Sequence, residues 1–93
     1  ERKAALALSK AIFYGEEMIR NGERKAEVVL SAMRSIIEEE PLAKIDYVEM
    51  TDADSIEPIE TAQGRTLTAI AVYIGKTRLI DNFIVDLREA DQS

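Results

Sequence analysis

At Pro41 the hydrophobic period of the chain changes, and that change limits what it can fold into. Ahead of the proline, Ala4, Leu8, Ala11, Ile12, Gly15, Met18 and Ile19 recur at three- and four-residue steps, the apolar stripe of an amphipathic helix over Ala4 to Ile19. Asn21-Gly22 ends it: glycine just past the last periodic residue is the usual left-handed stop, and Arg20 suits the negative end of the helix dipole. A second stripe, Ala26, Val29, Leu30, Met33, Ile36 and Ile37, predicts a helix from about Lys25 to Glu39, closed by Pro41. The short Asn-Gly link makes these an antiparallel pair sharing one core.

Beyond Pro41 the pattern nears alternation. Ile45 to Thr51 suits a half-exposed strand, and Asp52-Ala53-Asp54-Ser55 breaks it with residues that favour turns and caps, predicting a brief helical turn through Ile56 and Glu57 before Pro58. Gln63-Gly64 makes another turn. Two apolar runs follow, Thr66 to Ile74 and Thr77 to Val85, separated by Gly75-Lys76. Gly75-Lys76-Thr77 has the last letters of a phosphate-binding loop, but such a loop needs a second glycine where Ile70 stands, and it must open a helix, whereas Arg78 to Val85 is strand-forming. The pair is instead the turn of a β-hairpin, with Gly75 at the position where a type II′ turn demands positive φ. That register sets Val72 opposite Leu79, Ile74 opposite Thr77 and, on the other face, Tyr73 opposite Arg78. Ile70, Val72, Ile74 and Leu79 are expected to face the helices; Ala69, Ala71, Tyr73, Arg78, Ile80 and Asn82 form a second face that something outside this chain is able to cover. The fold class is α+β: an antiparallel helix pair packed on one face of a small, about three-stranded antiparallel sheet ending in a β-hairpin. Residues 1–93 read as a single domain, with 86–93 expected to fray.

Composition closes several routes to function. A formal net charge of −6, with basic residues scattered among more numerous carboxylates, argues against nucleic acid and anionic membranes as partners. No apolar run approaches the roughly 20 residues that span a bilayer. Without cysteine or histidine there is neither thiol chemistry nor an imidazole base. Glu1-Arg2-Lys3 runs directly into helical periodicity without an initiator methionine, which leads us to expect a fragment.

The polar clusters make poor catalysts. Glu38-Glu39-Glu40 are consecutive on a helix and diverge. Asp52, Asp54 and Glu57 fail the calcium-loop pattern, which needs an oxygen ligand at Ile56 and then a glycine. Glu16-Glu17 is an ordinary exposed helix pair. Arg78, Asp81 and Asn82 decorate a strand that otherwise favours burial, so they are expected to stabilise the hairpin end or contact a neighbouring domain, and not to bind substrate. No catalytic, cofactor-binding or metal-binding residue is assigned.

The order of helix pair, IDYVEMTD and GRTLTAIAVYIGKTRLIDN resembles the C-terminal domain of the pantothenate synthetase, or pantoate–beta-alanine ligase, family. Asp46-Tyr47 matches the family's Asp-Tyr strand, and Thr77 to Asn82 matches Thr-Arg-Leu-Ile-Asp-Asn without a gap. The resemblance implies a cytoplasmic enzyme that uses ATP and magnesium (Mg2+) to make a pantoyl adenylate, releasing pyrophosphate, and then joins it to beta-alanine, giving pantothenate and AMP. It implies a homodimer when full length, whose N-terminal nucleotide-binding domain carries the catalytic motifs. This chain would be the C-terminal lid over that domain, inactive alone and binding no cofactor itself, and its lack of histidine agrees with that. The alternative is a small acidic protein-interaction domain with no catalytic role; a third reading, a stand-alone enzyme using carboxylates such as Glu49 and Asp81, has less in its favour.

Overall fold

The computed structural model describes residues 2–88. Two helices, α1 (Arg2–Arg20) and α2 (Ala26–Glu38), precede three strands, β1 (Ala43–Asp52), β2 (Arg65–Ile74) and β3 (Thr77–Asp86), paired antiparallel in the order β1-β2-β3. This is the α+β architecture expected from the change of period.

The link between the helices is a Schellman stop. Gly22, at φ +113°, donates its N–H to the Ile19 carbonyl, and Glu23 donates to Met18, satisfying carbonyls that the end of α1 leaves open. Arg24 adds a guanidinium bond to the Ile19 carbonyl at 2.7 Å. No side chain caps the start of α2; instead Ala26 N–H donates to the Glu60 carbonyl, and Ala62 N–H donates to that of Arg24. The chain after β1 therefore returns to pin the helix.

The two stripes meet as expected. Ala4, Leu8, Ala11, Gly15 and Ile19 of α1 and Ala26, Val29, Met33 and Ile37 of α2 are buried. From the sheet, Val48, Met50, Ile70, Val72, Phe83 and Val85 join the same cluster, with Leu79 packed at its edge. Ile70 and Val72 are fully buried and Ile74 nearly so. The hairpin register pairs Ile74 with Thr77, Tyr73 with Arg78 and Val72 with Leu79. Gly75 has φ +64°, while Lys76 is not among the positive-φ residues, which selects a type II′ over a type I′ turn.

Three details depart from expectation. After Asp52 the chain closes one turn, with Ile56 N–H bonded to the Asp52 carbonyl at 2.9 Å and the Asp52 carboxylate accepting the N–H groups of Asp54 and Ser55. No helical turn runs on through Ile56 and Glu57, because Ile56 takes φ +61°, which a helix cannot continue. The segment goes on along the outer edge of β1, where Asp52 N–H donates to Glu57, Ile59 N–H donates to Met50, and Thr51 bridges Pro58. Of the tail expected to fray from Asp86, Asp86 closes β3 and Leu87 is buried, its N–H bonded to the Gly64 carbonyl at 2.7 Å. Residues 89–93 lie outside the described residues.

Candidate functional site

Both helices pack on one face of the sheet, which leaves the opposite face open among the described residues. Alternation assigns its residues. Tyr73, Ile80 and Ile84 remain 41%, 54% and 46% exposed there, large apolar side chains with no covering layer among the described residues. Like Thr51, which opposes Leu67, Ala71 is buried on this face although no helix lies over it. In register it sits between Tyr47 and Ile80, whose side chains are large enough to shield a methyl group.

Arg78 organises the polar part of this face. The ladder between β1 and β2 slips at Ile45/Tyr47, inserting Asp46 as an extra residue. A bulge of this kind re-aims side chains, and Asp46 reaches the Arg78 guanidinium across the width of β2. Arg78 Nε and Nη2 lie 3.0 and 2.9 Å from Asp46 Oδ2, and its guanidinium carbon stands 5.7 Å from the Tyr47 ring centroid. The Asp46 carboxylate raises the Arg78 pKa above its ordinary value. Arg78, Asp81 and Asn82 do not form one cluster. Arg78 and Asn82 share the open face; Asp81 opposes Ile70 on the helix-facing side, exposed at the sheet margin, with Oδ1 accepting Asn82 N–H at 2.8 Å.

Nothing in this arrangement supplies a nucleophile or a shifted acid–base pair. The two clearly lowered carboxylates are local caps. Asp86 falls from 3.8 to about 2 because Arg88 binds it through both guanidinium and backbone N–H, and Asp52 is lowered by the backbone N–H groups of Ser55 and Asp54. Among the described residues no three His, Cys, Asp or Glu side chains converge as a cation would require. Gly75-Lys76-Thr77 closes a hairpin and opens no helix, so it offers no phosphate cradle. These residues do not fit magnesium or the phosphates of ATP. Two clefts remain. One, about 660 Å³, lies between α2 and residues 59–61 and is lined by Lys25, Arg34 and Glu60 among others; the second, about 320 Å³, lies between Lys3, Lys10, Glu39 and Glu40 where the helix ends meet. Both are open, and their charged side chains are solvent-facing or half-buried. Among the described residues no helix is long and apolar enough to cross a membrane.

Comparison with known proteins gives one consistent result. Residues 1–84 match the family model described as Pantoate-beta-alanine ligase. The chain is 49% identical over 83 residues to a pantothenate synthetase of Ruminiclostridium cellulolyticum, covering 89% of this chain and 30% of that protein. It is 44% identical over 89 residues to the pantothenate synthetase of Moorella thermoacetica, covering 96% of this chain and 31% of the relative. The chain thus spans about a third or less of the curated relatives it matches. The fold superimposes on the crystal structure of pantothenate synthetase from Thermus thermophilus with a TM-score of 0.79 at 23% identity, over 88% of this chain and 29% of that one.

Proposed function

The chain belongs to the pantoate-beta-alanine ligase family, and from that premise we propose that it is the C-terminal lid of an ATP-dependent ligase that condenses pantoate with beta-alanine through a pantoyl adenylate, releasing AMP and pyrophosphate. The observation that carries the reading is the combination of a one-sided helix layer with a match to only 30–31% of the length of the reported relatives. A folded unit of this kind, without a reactive constellation, fits a part that shapes an active site built elsewhere. Closing such a part over a reactive acyl adenylate excludes water and fixes the electrostatics around it, which requires shape more than nucleophiles. ATP, magnesium and both substrates then bind mainly to an N-terminal nucleotide-binding domain. That domain is this chain's first partner, in a cytoplasmic, homodimeric enzyme.

The open face with Tyr73, Ile80 and Ile84 also suits a second reading, an acidic interaction domain outside any ligase. Sequence upstream of Glu1 separates the two, since the ligase requires a preceding nucleotide-binding domain. For the lid itself the test is ATP- and beta-alanine-dependent pantothenate formation. We expect none from the chain alone and turnover from the complete ligase; turnover by the chain alone would overturn the reading. In the complete enzyme, Asp81→Ala is expected to leave turnover unchanged as long as stability and domain packing are unchanged.

A further inference from the structure

We propose that β3 is a self-complementary edge through which two copies of this chain pair into a continuous six-stranded antiparallel sheet. β3 is the last strand of the sheet, ten residues long, and its ladder with β2 runs unbroken from Thr77 to Asp86. It has no proline and no bulge, the usual devices that blunt an edge. The opposite margin of the sheet differs, because residues 57–59 bond along the end of β1.

The two-residue turn fixes which backbone groups of β3 are open. A hairpin with two turn residues is closed by a hydrogen-bonded pair, here Ile74 and Thr77, and such pairs alternate with non-bonded ones. Arg78, Ile80, Asn82, Ile84 and Asp86 are therefore the residues whose N–H and C=O groups point away from β2. The Asn82 N–H agrees, since it donates to the carboxylate of its neighbour Asp81. These five residues also carry the side chains of the open face.

Read along the strand, that set is Arg, Ile, Asn, Ile, Asp. A two-fold axis through Asn82 sets Asn82 against its own copy, Ile80 against Ile84 and Arg78 against Asp86, each as a pair that exchanges two backbone bonds. Opposite charges meet at both ends, and apolar side chains meet between them. Moving the axis to Ile80 would set Ile84 against Lys76 and Asn82 against Arg78, and moving it to Asp81 would set Ile80 against Asn82 and Arg78 against Ile84, so the side chains favour the register centred on Asn82. Arg78 and Asp86 each hold a partner within the chain, Asp46 and Arg88, and both pairs are solvent-exposed enough to be shared or exchanged. The axis stands perpendicular to the sheet, so both helix layers lie on one side and the two open faces become one surface.

Sedimentation equilibrium of the chain tests this without any assay of turnover, so its outcome is independent of the ligase reading. We expect a reversible dimer with a dissociation constant on the order of 100 µM, as suits a small interface. Arg78→Asp or Asp86→Arg sets like charges opposite one another twice per dimer and should weaken association about tenfold. The double reversal Arg78→Asp/Asp86→Arg should restore it to within roughly threefold of the native chain. Asn82→Pro removes an outward N–H that no strand of the monomer uses; it should abolish the dimer while the circular dichroism melt still shows a folded monomer. A native chain that stays monomeric at about 1 mM, single reversals without effect, or a folded Asn82→Pro variant that associates like the native chain would each overturn the proposal.

Discussion

A methyl group added at Gly15 would stand 2.6 Å from Met33 Sδ and 3.0 Å from its Cγ, closer than buried atoms approach. Met33 is fully buried between the helices and the sheet, so it has little room to retreat. Two effects then compete in Gly15→Ala: alanine is the better helix former by about 1 kcal/mol, and overpacking a tight contact costs about 1–3 kcal/mol. The contact outweighs propensity, and we expect a net loss of about 1 kcal/mol, read as a lower urea midpoint; a raised midpoint would show that Met33 yields easily. Asp86 makes a prediction of a different kind. Its pKa is depressed in the folded chain, so its contribution to stability is complete above its ordinary value of 3.8 and is lost as pH falls from there through about 2. Asp52 acts in the same direction through its two backbone donors. Thermal melts from pH 5 downward, about the range where carboxylates begin to protonate, should therefore fall less steeply for Asp86→Asn than for the native chain. Identical slopes would mean that protonation of Asp86 does not contribute to the loss of stability in acid. Ile56 is the one non-glycine residue at positive φ among those described, a β-branched side chain where only local demand places one: the chain must leave the Asp52 turn and swing back beside β1.

At the scale of elements, the hairpin turn carries the sharpest consequence. Gly75 at φ +64° holds a conformation that disfavours any side chain, whereas Lys76 does not. Gly75→Ala should cost about 1–2 kcal/mol, while Lys76→Ala should be close to neutral; equal effects in chemical denaturation would contradict the type II′ assignment. This turn was legible because its signal is local: two residues between two apolar runs determine both register and face, and Val72 opposite Leu79 follows by counting. The helix stripes were legible for the same reason. What could not be read depends on residues far apart in the chain. Asp46 looks like an ordinary alternating strand residue; only the slipped ladder shows it as a bulge, and only the folded sheet brings it to Arg78, thirty-two positions away. The strand-like return of residues 57–62 pairs with β1 and with the start of α2 through backbone groups, which leave no mark in side-chain pattern. Leu87 was hidden among polar neighbours, and its burial rests on the Gly64 carbonyl and the edge of the core. That Arg78 and Asn82 share the open face without Asp81 follows from the hairpin count alone, whereas the pairing of Arg78 with Asp46 does not.

For the whole molecule, the decisive property is that one apolar cluster takes side chains from every element: Leu8 and Ile19 from α1, Val29 and Met33 from α2, Met50 from β1, Ile70 from β2 and Val85 from β3. A lid that closes over a reactive intermediate has to move as one body, since a part that loosened on closure would admit the water it is there to exclude. A single shared core provides that rigidity, because the helices cannot detach without exposing the sheet's buried face. The prediction is cooperative unfolding. The chain has three tyrosines and no tryptophan: Tyr14 lies on α1, while Tyr47 and Tyr73 lie on the sheet. Far-ultraviolet circular dichroism follows mainly the helices, and tyrosine fluorescence, with two of its three sources on the sheet, follows mainly the strands. Urea transitions by the two probes should superimpose at a protein concentration well below that at which copies pair. Separated transitions, with the sheet signal lost while the helices persist, would mean that the hairpin is a semi-independent flap. The proposed lid would then lack the single rigid body that its role requires.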